Sequence, residues 1–102
     1  MISVSAHALI RYIERVGGID TKTFRLHAKR DGYKGDARLA EWLREIHDID
    51  TRALEQEILS IVGDAARLGC SAVFKGEWKY IIRTGRVVSI VPRRALSKWY
   101  SA

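Results

Sequence analysis

The chain has 102 residues, 47% hydrophobic and 29% charged, and its net charge of +6 lies in its last quarter: residues 1–77 hold 12 Lys/Arg against 12 Asp/Glu, and residues 78–102 hold 6 Lys/Arg and no acid. This length fits one domain, residues 1–102, burying roughly two-thirds of its unfolded surface without metal or disulfide staples, and the lone Cys70 excludes an internal disulfide. The apolar runs fall far short of the roughly 20 residues of a membrane span, and the first residues lack the order of a secretory signal, so a reducing cytoplasm is the expected compartment.

The first helix begins at Ser5, whose hydroxyl can cap the free amides of the following turn, and runs to Val16, where Gly17-Gly18 stops it. Ala8, Leu9, Ile10, Tyr12, Ile13 and Val16 fall on its apolar side. His7, Arg11, Glu14 and Arg15 share one polar arc about 100° wide. A short second helix, Thr21 to Arg30, follows Asp20. The third, Asp36 to His47, has Leu39, Trp42, Leu43 and Ile46 at helical spacing with Asp36 as its cap. Asp50 caps a fourth from Thr51 to about Val62, extendable to Leu68, with Ile49 and Leu54 placed as a hydrophobic staple. Ile19-Asp20-Thr21-Lys22 is echoed by Ile49-Asp50-Thr51-Arg52, which reads as repeated capping chemistry.

After Gly69 the period changes to that of strands: Ser71 to Phe74, Glu77 to Arg83, and Arg86 to Val91 ended by Pro92. The expected fold is therefore α+β, with helices over about 5–68 packed on a three-stranded antiparallel meander over about 71–92, followed by a basic aromatic tail, 93–102. If Thr84-Gly85 is a two-residue hairpin loop, Ile82 faces Val87, Tyr80 faces Ser89 and Trp78 faces Val91 on the core side, leaving Lys79, Ile81, Arg83, Arg86, Val88 and Ile90 outside. A type I turn with a bulge would shift the register by one and exchange these faces on one strand. Cys70, after Gly69, is expected as a small buried residue.

Lys79, Arg83, Arg86, Arg93, Arg94 and Lys98 lie on the last two strands and the tail, so folding gathers them into a positive surface suited to polyanions, with RNA or another nucleic acid the expected partner. A solvated surface that sets solubility is the competing reading. In the tail, cations alternate with Trp99 and Tyr100. These rings suit either the stacking of single-stranded bases or the covering of a sheet edge.

Ser5-Ala6-His7-Ala8-Leu9-Ile10-Arg11-Tyr12-Ile13-Glu14-Arg15 and Trp78 to Pro92 together resemble the RelE/barnase/colicin-nuclease group of small ribonuclease toxins. More narrowly, they resemble a bacterial and phage family with an N-terminal His-x-x-x-Arg-x-x-x-Arg helix and a hydroxyl residue in its last strand. The resemblance covers about a third of the chain. It implies RNA cleavage without a metal or other cofactor, with His7 as acid or base, Arg11 and Arg15 as phosphate clamps, and Ser89 as hydrogen-bond donor. It also implies a protein antitoxin or macromolecular target as partner.

Histidine titrates near neutrality and the arginine fork matches two phosphate oxygens, so the residue types suit that chemistry. An ordinary exposed helix has the same appearance. His27, within Arg25 to Arg30, belongs to a second basic run, and His47 suits the C-terminal end of its helix. Three scattered histidines and one cysteine show no metal-ligand spacing. Binding without catalysis is the main rival function, and the helices 36–47 and 51–62 are candidates for a homodimer or partner surface.

Overall fold

A computed structural model of the chain describes residues 2–93. Its elements are β1 (Ser3–Val4), α1 (Ala6–Arg11), a π-helical turn (Tyr12–Val16), α2 (Thr21–Arg30), α3 (Asp36–His47), α4 (Thr51–Arg67), β2 (Ala72–Lys75), β3 (Trp78–Arg83) and β4 (Arg86–Pro92). Arg94, Lys98, Trp99 and Tyr100, singled out above, lie outside the described residues.

Three helix starts follow directly from side-chain chemistry. Ser5 Oγ accepts from the Ala8 amide, Asp20 Oδ1 from the Lys22 amide and Asp50 Oδ1 from the Ala53 amide, each at 3.0 Å, a contact worth about 1 kcal/mol per cap. The Ile-Asp-Thr echo extends beyond the caps, because Thr21 and Thr51 are both buried and hydrogen-bonded, to Glu14 and Arg44. Helix α3 departs from expectation. Gly35 precedes it at φ 86, a conformation that favours glycine, and Asp36 makes no cap but turns its carboxylate toward His7 and Arg25.

The end of the first helix also differs. The Gly17 amide donates to the Tyr12 carbonyl at 3.0 Å, a five-residue step that widens the last turn. Val16, expected inward, is 38% exposed.

The sheet has the order β1-β4-β3-β2, with β1 parallel to β4 and the other pairs antiparallel. The expected three-stranded meander is thus corrected to a four-stranded mixed sheet. A two-residue strand carries no readable period, which is why β1 is silent in the sequence.

Thr84 (φ 52) and Gly85 (φ 72) form a two-residue turn closed by Arg83 opposite Arg86. Positive φ at both positions matches the right-handed twist of the flanking strands. Ile82 then pairs with Val87 as expected, but a bulge follows, and the ladder continues as Ile81 with Ser89, Tyr80 with Ile90, Lys79 with Val91 and Trp78 with Pro92. The extra residue exchanges the faces of β4 beyond it. Ile90, expected outside, is fully buried with Tyr80. Ser89 and Val91, expected on the core side, stand by register on the opposite face beside Ile81 and Lys79, where Val91 is nonetheless buried.

The core joins Leu9, Ile10 and Ile13 of the first helix to Leu39 and Leu43 of α3, Ile58 and Val62 of α4, and the inner sheet residues Tyr80, Ile82, Val87 and Ile90. Each such large apolar side chain contributes about 1.5–3 kcal/mol by leaving water. Ile46 was expected here and is 59% exposed. The chain leaves α3 through Asp48 at φ 54, the Ile49 amide returns to the Leu43 carbonyl, and Ile49 packs on the core. Cys70, expected buried, is exposed in the turn after Gly69.

Candidate functional site

Two charged regions come out of this fold. On the polar side of the first helix, His7, Arg11, Glu14 and Arg15 join Arg25 of α2 and Asp36 of α3 in one connected network. His7 Nδ1 lies 3.1 Å from Asp36 Oδ2, and Arg25 Nη2 donates to Asp36 Oδ1 at 2.7 Å. Arg11 Nε reaches His7 Nε2 at 3.5 Å and its Nη1 donates to Glu14 Oε1 at 2.8 Å. Arginine can only donate, so Nε2 accepts; in the neutral ring the proton then sits on Nδ1 and donates to Asp36.

Burial pulls the Asp36 carboxyl upward, but hydrogen bonds from Arg25 and His7 and their charges outweigh it and hold the group below its usual value. Glu14 is held low as well, chiefly by the hydrogen bond from Thr21 Oγ1, with Arg11 and Arg15 adding to it against burial. Arg15 donates to the Ile90 carbonyl at 2.6 Å. That carbonyl belongs to the β4 edge that the short β1 leaves uncovered. Arg15 therefore closes a strand edge. Every arginine of this region is tied to an acid or a carbonyl.

The second region is the outer face of the sheet, opposite the helices. Strand alternation puts Phe74 of β2, Lys79, Ile81 and Arg83 of β3, and Arg86, Ser89 and Val91 of β4 on this face, with no acid among them. Arg83 and Arg86 are exposed and directly opposite each other, an arrangement that costs a hairpin stability. Among the described residues neither forms an ion pair. Phe74 is 46% exposed, with the Arg93 guanidinium 4.9 Å and Lys79 Nζ 5.7 Å from its ring centroid. A groove of about 320 Å³ runs beside it, lined by Ala72, Lys79, Ile81 and Arg83 among others.

The structure thus brings His7, Arg11 and Arg15 together on the helical side and Lys79, Arg83, Arg86 and Ser89 together on the outer sheet face, with the sheet between the two sets. Ser89 does not join His7. Asp36 and Arg25 are members of the histidine network that sequence reasoning missed. The signal was Gly35, which takes the position before α3 and frees Asp36 from capping. His47, expected as a helix-end cation, packs its ring against Phe24 and Trp42, with centroids 4.7 Å away in both cases. Among the described residues no group of three or more His, Cys, Asp or Glu is placed to hold a metal ion. No helix among them is long and apolar enough to cross a membrane. Compared with known proteins, the chain matches no protein-family model, no curated protein and no solved structure.

Proposed function

We propose that this chain binds nucleic acid through the outer face of its sheet, with Arg83, Arg86, Lys79 and Arg93 on phosphates and Phe74 beside a base. One observation carries the reading: two exposed arginines face each other across the two-residue turn between β3 and β4, with no acid paired to either among the described residues. Like charges in cross-strand register are costly to the free protein, and a bound phosphate backbone turns that cost into attraction. Arginine forks grip phosphate oxygens in pairs, and an exposed ring gives a base a sequence-tolerant platform. RNA and DNA share this chemistry.

Titration of labelled single-stranded RNA and DNA by fluorescence anisotropy tests the proposal. Arg83→Ala with Arg86→Ala should weaken binding roughly tenfold or more, and Arg11→Ala should leave it unchanged. Equal affinities for the double variant and the parent chain would refute the reading. An acidic protein that binds this face more tightly than any nucleic acid would also refute it, and would point to an antitoxin-like partner.

A second reading, cleavage of RNA by His7 acting as acid or base, is favoured by one observation: Asp36 fixes the ring through Nδ1 while the side chain stays 47% exposed. A carboxylate that orients a histidine is a recurrent arrangement in proton-transfer sites. Arg11 would meet the phosphate by leaving Glu14. Incubation with mixed RNA, scored for products ending in cyclic phosphate, should show cleavage by the parent chain and none by His7→Ala. Equal product yields from both would exclude His7.

A further inference from the structure

A cleft of about 370 Å³ opens where the π-helical turn, α4 and the first residues of β3 meet, on the helical side of the sheet. That volume lies within the range of about 300–1,000 Å³ found for small-molecule sites. Its walls include Tyr12, Val16, Glu57, Lys75, Trp78 and Tyr80. Tyr80 is only 2% exposed, and its hydroxyl, which has no protein hydrogen-bond partner among the described residues, is not sealed from solvent. A phenol that opens on a cleft wall can donate to whatever enters in exchange for water.

Glu57 accepts a hydrogen bond from the Tyr12 hydroxyl at 3.0 Å and forms no ion pair among the described residues. A carboxylate has about four lone-pair sites, so it can accept from a ligand as well. Burial foremost, and then Glu57, pushes Tyr12 up to about 12 and raises Tyr80, so both phenols remain donors at neutral pH. Trp78 adds a partly buried indole, and Lys75, its exposed cross-strand partner, stands at the rim. The widened turn gives independent support. Such turns concentrate at functional sites, and Tyr12 and Val16 at its two ends both line this cleft.

We propose that this cleft holds the base of a nucleotide, stacked on Trp78, with base-edge N–H groups donating to Glu57, a base acceptor taking the Tyr80 hydrogen, and the phosphate directed to Lys75. An organic cation would satisfy Glu57 and the ring faces, but it would leave the Tyr80 hydrogen without an acceptor and meet the charge of Lys75. The site is separate from the outer sheet face and stands without that reading.

Isothermal titration of the full chain with the four 5′-ribonucleoside monophosphates, ribose 5-phosphate and spermidine tests the proposal. The nucleotides should bind with Kd of about 1 mM or tighter, and ribose 5-phosphate and spermidine at least tenfold more weakly. Tyr80→Phe, which removes one oxygen from an otherwise unchanged ring, should weaken nucleotide binding about tenfold, and Glu57→Gln by at least as much. In the background of the paired Arg83→Ala and Arg86→Ala variant, which removes the phosphate grip of the outer face, Glu57→Gln should still weaken nucleotide binding about tenfold, which separates this site from that face. Absent nucleotide binding, equal binding of ribose 5-phosphate, preference for spermidine, or unchanged affinity in Glu57→Gln would each overturn it. Glu57 lies on the exposed side of α4, so that variant serves as the test if Tyr80→Phe does not fold.

Discussion

The helix-1 network and the outer sheet face contain the same residue types in opposite electrostatic states. Around His7, the cations Arg11, Arg15 and Arg25 are held by Glu14, Asp36 and the Ile90 carbonyl. Across the sheet, Arg83 and Arg86 confront each other with no acid on their face among the described residues. The first region uses its charges to tie three helices and a strand edge together. The second leaves Arg83 and Arg86 available to an anion. Compensation, rather than the presence of arginine, separates a structural cluster from a binding surface.

The largest effect that would break this comparison is in binding. Loss of Arg83 and Arg86 together should remove most nucleic-acid affinity and leave the fold intact or slightly more stable, by about 0.2–1 kcal/mol, because the cross-strand repulsion is relieved. Thermal unfolding of the double variant beside the parent measures this; a fall in melting temperature would show that the pair is structural.

The next effect is on stability. Asp36→Ala strips His7 and Arg25 of their shared acceptor while leaving the sheet face untouched. It should cost about 1 kcal/mol, reduced from the value for charged hydrogen bonds because the side chains are partly exposed. Denaturant unfolding should show that loss with unchanged oligonucleotide affinity. A loss of affinity instead would merge the two regions.

Much of the fold was legible because local chemistry and final environment agree. Ser5, Asp20 and Asp50 cap where their residue types direct, and Gly85 permits the tight turn that the strand spacing requires. What was not legible depends on distant pairing. The single bulge beyond Ile82 moved Ser89 and Ile90 to opposite faces, and a one-residue slip leaves the hydrophobic count of a Val- and Ile-rich strand almost unchanged. β1 is fixed by hydrogen bonds from Ser3 and Ser5 to Gly85 and Val87, some eighty residues away in sequence. Asp at a helix start predicts a cap at Asp36. Its true partners sit on two other helices.

The smallest effect is in pH dependence. Asp36 and Glu14 titrate below their ordinary values of 3.8 and 4.5. A depressed folded value means that the stabilisation is complete above the unfolded value and is lost as pH falls through the folded one. Melting temperature should therefore stay level near neutrality and drop below pH 4.5. Asp36→Asn should make that drop shallower. An equally steep drop in the variant would assign the acid sensitivity elsewhere.

The central claim, that uncompensated arginines on the outer sheet face meet phosphates, is tested most directly by the salt dependence of oligonucleotide binding. Each phosphate contact on a single strand contributes about 0.7 unit to the slope of log K against log salt. The Arg83→Ala and Arg86→Ala variant should lose about 1.4 units of slope relative to the parent chain, and Arg11→Ala with Arg25→Ala should lose none. An unchanged slope in the first variant, or a shallower one in the second, would contradict the account.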